Sequence, residues 1–427
     1  MSHFSYKNGA LCAENVPLAD IARQFGTPAY VYSKAALLEN YAAYADTCKL
    51  HGPEKSPALV CFAVKSNSNL AVLNLLARQG AGFDIVSGGE LQRVLAAGGD
   101  PKKVIFSGVG KTADDIRLAL THGILCFNVE SEAELHHLNE IAGKMGQPAP
   151  ISFRVNPDVD AKTHPYISTG LQENKFGIPF PDVLACYRKA AMLPNIRVLG
   201  IDCHIGSQLL DDKPLLDALD KMIDLVDRLN HEGYNLQHLD IGGGLGIAYN
   251  NEQPVKVQDY VQRLYAKVNH WRLHKYQGRP IKIIFEPGRS IVGNAGLLLT
   301  EVQYLKPTPT KNFAVVDAAM NDLMRPALYD AWHRVQPVKE SGARKLVWDV
   351  VGPVCETGDW LAHDRELALS QGDLLAVMSA GAYGMTMASN YNSRPRVAEV
   401  MVDGDRVHLI RKREQVADLF ALESLLP

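Results

Sequence analysis

The chain has 427 residues, 44 basic against 47 acidic side chains and a formal charge of −3 at pH 7, so no charged stripe argues for nucleic acid or an anionic membrane, and a small-molecule partner is expected. That length exceeds one ordinary core and points to two domains, one of them long enough to be a barrel of about 250 residues. Seven cysteines without a CxxC pair argue against a disulfide framework or a metal site and for a reducing compartment, the cytoplasm.

The N-terminus MSHFSYKNGA shows no signal pattern. The long uncharged run 374–393 is broken by Gly381, Gly384, Ser389 and Asn390, so no membrane span is expected. Asn8-Gly9 marks a hairpin, and PAYVYS (28–33) reads as a strand. From Leu59 to Glu286 short apolar runs then alternate with amphipathic helical stretches. The runs are LVCFAVK (59–65), GFDIVS (82–87), VIFSG (104–108), LCFNVE (125–130), ISFRVN (151–156), VLGIDCH (198–204), LQHLDIG (236–242) and IKIIFE (281–286). Thr112 with Asp115 and Ser131 with Glu134 are spaced as capping boxes, and Gly233 ends the longest helical pattern. Eight βα alternations, with no GxGxxG after the first strand, favour an α/β fold of the (β/α)8 barrel type over a doubly wound sheet. After Gly293 the pattern turns strand-rich, and Asp403-Gly404 marks a further tight hairpin. The expected organisation is a barrel over 36–290 and a β-rich domain, barrel or sandwich, made of 1–35 and 291–427.

In such barrels the reacting groups sit where strands end. Lys65 ends strand one, Asp84 lies in strand two, Arg154 is near the end of strand five, His204 ends strand six and Glu286 ends strand eight. For any one of these a solvated strand end is the commoner explanation; their convergence on one rim favours a site. The segments IGGGLG (241–246) and EPGRS (286–290) follow strands seven and eight, the usual phosphate position, and Ser207 in HIGS adds a hydroxyl. GVGKT (108–112) mimics the end of a phosphate-binding P-loop but has Ile105 where that motif needs its first glycine. A phosphate nest, an amine able to form an imine, a histidine to lie on a ring and a carboxylate to meet a ring nitrogen describe pyridoxal phosphate (PLP).

FAVKSN (62–67), HIGSQ (204–208), DIGGG (240–244), EPGRS, CETGD (355–359) and GAYG (381–384) resemble, in order and spacing, the alanine-racemase-like PLP enzymes of the group-IV decarboxylases. KTHPYISTGLQENKFG (162–177) and MRPALY (324–329) resemble the branch that decarboxylates meso-2,6-diaminopimelate to L-lysine and CO2, the last step of lysine biosynthesis. The resemblance implies that Lys65 holds PLP as an imine, His204 stacks on the ring and Glu286 keeps its nitrogen protonated. It places the phosphate on Ser207, Gly243, Gly244, Gly288, Arg289 and Tyr383, with Asp84 and Arg154 also at the cofactor. It further implies a homodimer with shared sites, in which Cys355, the proton donor to Cα, and Glu356 come from the partner subunit.

Arg289, Arg325, Tyr329, Glu356 and Tyr383 are then the substrate-binding candidates. A diaminopimelate substrate carries a second amino-acid head group, and arginine grips its carboxylate through two parallel hydrogen bonds. Ornithine- or arginine-type decarboxylation and a non-catalytic PLP carrier are the alternatives. A racemase would more often place arginine at the ring nitrogen, which Glu286 argues against. The CO2-releasing reaction needs a protonated ring as electron sink.

Overall fold

Eight parallel strands close into a barrel in the computed structural model, which describes residues 3–54, 56–160 and 175–427. Barrel strands one to eight are Leu59–Ala63, Gly82–Ile85, Val104–Phe106, Cys126–Val129, Ala149–Asn156, Ile196–Cys203, His238–Asp240 and Lys282–Phe285. Each pairs in parallel with the next, and strand eight pairs back with strand one through Phe285 and Val60. All eight runs read from the sequence are therefore strands of one sheet. Helices return the chain between them, as in Leu70–Arg78 after strand one and Val257–His274 after strand seven. Closure leaves the barrel no free sheet edge.

Local chemistry sets the boundaries. Thr112 accepts from the Asp115 N–H while the Asp115 carboxylate accepts from Thr112 N–H, so the expected capping box starts Ala113–His122. The second box is only half made. Ser131 accepts from the Glu134 N–H, but the Glu134 carboxylate turns to the Glu130 N–H and to the Lys111 ammonium instead. Strand one also stops at Ala63, two residues before Lys65. Ser66 Oγ donates to Ala63 O at 2.7 Å and Asn67 N–H to Val64 O at 3.0 Å, closing a 3₁₀ turn over Val64–Ser66 that carries the lysine off the strand.

Period-two alternation decides what fills the barrel. Cys61, Ile105 and Ile284 pack together from strands one, three and eight, contacts that only inward-facing side chains of a closed barrel can make. On the other face, Phe153 packs on Tyr187 of the helix Val183–Ala191, and Phe285 packs on Tyr260 and Tyr265. Two positions beyond Ile284 along the inward face comes Glu286. The barrel unit comprises Asn40–Ile247 and Gln253–Ser290.

The second unit comprises Met1–Glu39, Ala248–Glu252 and Ile291–Pro427. Its central strands, Ala29–Ser33 and Gly296–Pro307, pair antiparallel. Tyr30, Tyr32 and Leu298 enter one apolar cluster with Trp348 and Leu361; Val31, Leu297 and Leu299 enter a second with Leu11, Ile21 and Val400. Ala29–Ser33 and the first half of Gly296–Pro307 are thus buried on both faces, which explains their nearly continuous apolar sequences. Asn8 (φ 52°) and Gly9 (φ 77°) form the expected turn between Phe4–Lys7 and Ala10–Ala13. The later hairpin turns one residue beyond its expected place, because Asp403 still pairs with Arg406 and Gly404 (φ 62°) takes the left-handed position. Periodicity gave no sign that Ala248–Glu252 would leave the barrel unit. Among the described residues no helix is long and apolar enough to cross a membrane.

One packing constraint is directly testable. Gly200 of strand six pairs with His238 of strand seven, and a Cβ at Gly200 would lie 2.2 Å from the buried imidazole. Gly200→Ala should lower stability by about 1–3 kcal/mol through overpacking, measured by urea unfolding with an unchanged m-value.

Candidate active site

The rim is built from residues that the strand ends hold at short range. Lys65 Nζ lies 2.6 Å from Asp84 Oδ2, the lysine partly exposed and the aspartate fully buried. The ammonium is thereby drawn from the turn toward the barrel mouth. His204 follows strand six, and its Nδ1 accepts the Gly243 N–H at 3.2 Å. That bond puts the ring proton on Nε2 and leaves the imidazole neutral. Burial, Arg154 and Lys65 agree with this, holding its pKa well below the ordinary value. The Gly243 N–H therefore serves His204, whereas the sequence alone had offered it to a phosphate. A Cβ at Gly243 would lie 2.2 Å from Glu286 O, so this glycine is needed for the close approach of the loops after strands seven and eight. Gly244 (φ 110°) has the left-handed backbone that glycine permits.

Ser207, Gly288 and Arg289 also gather in this unit. Arg289 donates through Nε and Nη2 to Ser207 Oγ at 3.2 and 3.0 Å, which sets a guanidinium and a hydroxyl side by side. Gly288 lies against Ser66, whose Oγ would be 2.9 Å from an added Cβ. Arg154 is buried and its guanidinium lies 3.1 Å from Glu130 Oε1, a carboxylate that also accepts the N–H groups of Gly108 and Gly177. The lysine of GVGKT proves structural. Lys111 Nζ donates to Gly108 O, Asn128 O and Glu134 Oε1 at 2.7–2.8 Å, which uses the three donors of an ammonium.

Below the rim lie two carboxylates the sequence reading passed over. Asp202, Asp240 and Glu286 are all buried and bring one oxygen each within 4.8 Å of one another, a spacing that suits a cation or a shared proton. Asp84 completes the buried set. One oxygen of each of the four, including Glu286 Oε1, has no hydrogen-bond partner among the described residues. Burial, then the neighbouring carboxylates, raises Glu286 well above the ordinary range. Asp202 is likewise raised, by burial and then by Asp240, while Asp240 is pushed up to about 7 by burial against a bond from the Gly242 N–H. A signal for both was available: Asp202 precedes His204 by two and Asp240 precedes Gly242 by two, hence the same strand face. The residues present fit PLP. A protonated ring nitrogen is the donor that the orphaned Glu286 oxygen lacks, and Lys65 is the one amine drawn to the same mouth among the groups just described.

The β unit holds Arg325, Tyr329, Cys355, Glu356 and Tyr383. Arg325 opens the short helix Arg325–Tyr329, is buried, and lies 5.1 Å above the Tyr249 ring. Six of the seven cysteines are buried and Cys355 is exposed. The CETGD loop owes its shape to Asp359, which accepts the N–H groups of Met320 and Val354 at 2.6 and 2.7 Å. Cys355 N–H donates to Asn392 Oδ1, and Glu356 Oε2 accepts from Tyr391 OH at 2.8 Å. Tyr383 sits in the left-handed region at φ 54°, an uncommon backbone for a bulky side chain. Gly381 beside it has no room for a Cβ, which would lie 2.0 Å from Val292 O. Of the stretch 162–177, residues 162–174 lie outside the described residues.

Comparison with known proteins gives the same chemistry from an independent direction. Residues 42–293 match the family model described as the pyridoxal-binding domain of pyridoxal-dependent decarboxylases. The diaminopimelate decarboxylase of Pseudomonas aeruginosa is 60% identical over 427 residues, covering 100% of both chains. The crystal structure of diaminopimelate decarboxylase from Helicobacter pylori complexed with L-lysine is 42% identical, covers 95% of this chain and 99% of that one, and superposes with a TM-score of 0.88. The enzyme of the same name from M. jannaschii, in co-complex with L-lysine, is 38% identical with a TM-score of 0.94, covering 99% and 98%.

The carboxylate cluster predicts a pH dependence. A carboxyl whose folded pKa is raised holds its proton after the unfolded chain has lost it, so its contribution to stability falls as pH rises, for Asp240 between about 4 and 7. Asp202→Asn relieves the repulsion and should stabilise cofactor-free protein by about 1–3 kcal/mol at pH 7. The gain should shrink toward pH 4 in thermal melts; a gain independent of pH would refute the account.

Proposed function

The chain belongs to the diaminopimelate decarboxylases, within the pyridoxal-dependent decarboxylase family, and we propose from its rim chemistry which groups carry the reaction. It decarboxylates meso-2,6-diaminopimelate to L-lysine and CO2 with PLP as cofactor. Diaminopimelate decarboxylases 46–60% identical over nearly the whole chain favour that reaction over the ornithine- or arginine-type and carrier readings. The observation that carries the assignment of roles is the Lys65–Asp84 pair at 2.6 Å, on the same rim as Glu286 with its unsatisfied buried oxygen.

Lys65 is the amine that binds the cofactor covalently, and Asp84 holds that amine at the barrel mouth. Glu286 would accept the ring N–H, and that bond would favour its anionic form against its burial and the crowding of Asp240, Asp84 and Asp202. His204, neutral and oriented by the Gly243 N–H, offers a flat uncharged face to the ring. Ser207, Gly244, Gly288, Arg289 and Tyr383 take the phosphate, Gly243 serves the cofactor through His204, and Arg154, tied to Glu130, lines the cofactor pocket. When bound, PLP supplies a cationic ring that accepts the electron pair left on Cα as the carboxylate departs.

The proton that replaces the carboxylate comes from the thiol of Cys355, the exposed cysteine of the chain. We assign Cys355 and Glu356 to the site of a partner subunit, so that a homodimer shares its two sites. Glu356 holds the distal ammonium; Arg325 and Arg289 hold the substrate's distal carboxylate, with the phenols of Tyr329 and Tyr383 as further contacts. A cytoplasmic location suits a chain whose seven cysteines are all free.

Two measurements test these roles. Arg325→Ala should lower kcat/KM for meso-diaminopimelate about ten- to a hundredfold, or about 1.5–3 kcal/mol, with the visible absorption of bound cofactor unchanged. Activity equal to wild type would remove Arg325 from the substrate site. Lys65→Ala and Cys355→Ala should each be inactive, and mixing them should restore activity because some mixed dimers contain one intact site. No recovery after verified subunit exchange would count against shared sites.

A further inference from the structure

His333 lies fully buried in the β unit, outside every motif discussed so far. Its Nδ1 is 2.9 Å from Met378 O. A carbonyl oxygen only accepts, so Nδ1 carries the ring proton. Nε2 of a neutral imidazole is then a lone pair, and the Arg325 Nε–H donates to it at 3.4 Å. A protonated imidazole would instead turn an N–H against the guanidinium and bury a second cation beside it. These two neighbours select the tautomer.

Tyr249 completes the arrangement. The excursion Ala248–Glu252 is pinned by the Glu252 carboxylate, which accepts the N–H groups of Tyr249 and Asn250 at 3.0 and 2.6 Å, and by Arg334 Nη2 on Asn250 O at 3.2 Å. The Tyr249 ring stands edge-on to His333, with centroids 5.1 Å apart and planes at 80°. Its face lies 5.1 Å from the Arg325 guanidinium carbon. One contact holds an edge of the guanidinium and the other its plane. Two such constraints fix the orientation of a planar fork, whose value in binding a carboxylate depends on direction.

We propose that His333 is a positioning residue for substrate specificity: through its Nε2 lone pair it sets the orientation of Arg325 toward the distal carboxylate of an amino-dicarboxylate substrate. The inference rests on the substrate role given to Arg325 above. Preorganising the fork before substrate arrives reduces the ordering that binding would otherwise require, so the effect belongs mainly in KM.

Two variants separate this role from plain packing. The glutamine of His333→Gln can set its carbonyl oxygen where Nε2 lies, keeping the acceptor for Arg325. The shorter His333→Asn can reach Met378 O but withdraws the acceptor that His333 Nε2 offers to Arg325 Nε. In the holoenzyme, His333→Asn should raise KM for meso-diaminopimelate about tenfold with kcat within about twofold, whereas His333→Gln should stay within about threefold of wild type. Cofactor absorption should be unchanged in both. In an Arg325→Ala background the asparagine change should add less than about twofold, because the group it positions is gone. A wild-type KM for His333→Asn, a glutamine variant worse than the asparagine one, or an equal effect in both backgrounds would overturn the proposal while leaving Arg325 at the substrate. Wild-type activity of Arg325→Ala itself would instead remove the substrate reading, and this inference with it.

Discussion

Burial of negative charge inside a closed barrel is the constraint on which the rest of the site depends. Asp84, Asp202, Asp240 and Glu286 occupy a space that parallel barrels usually fill with branched apolar side chains. Like charges at this range in a low-dielectric interior are costly, and the structure answers with the cations Lys65 and Arg154 and with raised proton affinity at Asp202, Asp240 and Glu286. The lysine is held by that field, which is why an ammonium stands in the turn just beyond an apolar strand. The same field makes the barrel mouth receptive to a cationic ring nitrogen.

Neutral and charged groups are correspondingly sorted. His204 is kept neutral by desolvation and by the two cations near it, and the Gly243 N–H selects its tautomer. Arg154 keeps its charge because Glu130 and the deeper carboxylates outweigh its own desolvation. In the β unit the sorting is done by hydrogen bonds. Met378 O selects the His333 tautomer, His333 holds Arg325, and Asp359 shapes the loop of Cys355 and Glu356 by accepting two backbone N–H groups. In each case one group fixes the protonation, orientation or backbone shape of its neighbour.

The sequence by itself determined the barrel, because eight period-two runs separated by helical stretches leave little other choice, and it determined the cofactor, because Lys65, His204, Glu286 and the glycine-rich loops occupy strand ends in a fixed order. The motif around Arg325 and the CETGD loop were legible for the same reason: they are contiguous. Only the tertiary structure decided matters that depend on residues far apart in the chain. Strand one ends early at Ala63 because Ser66 turns back on it; Gly243 serves His204 because two loops meet there; Asp202 and Asp240 crowd Glu286 across the barrel. The excursion Ala248–Glu252 brings Tyr249 to Arg325 from 76 positions away. Periodicity reports which face a side chain takes. Closing the barrel, and packing distant segments into the β unit, decides which side chains then share a face, and that sharing sets protonation, tautomer and orientation.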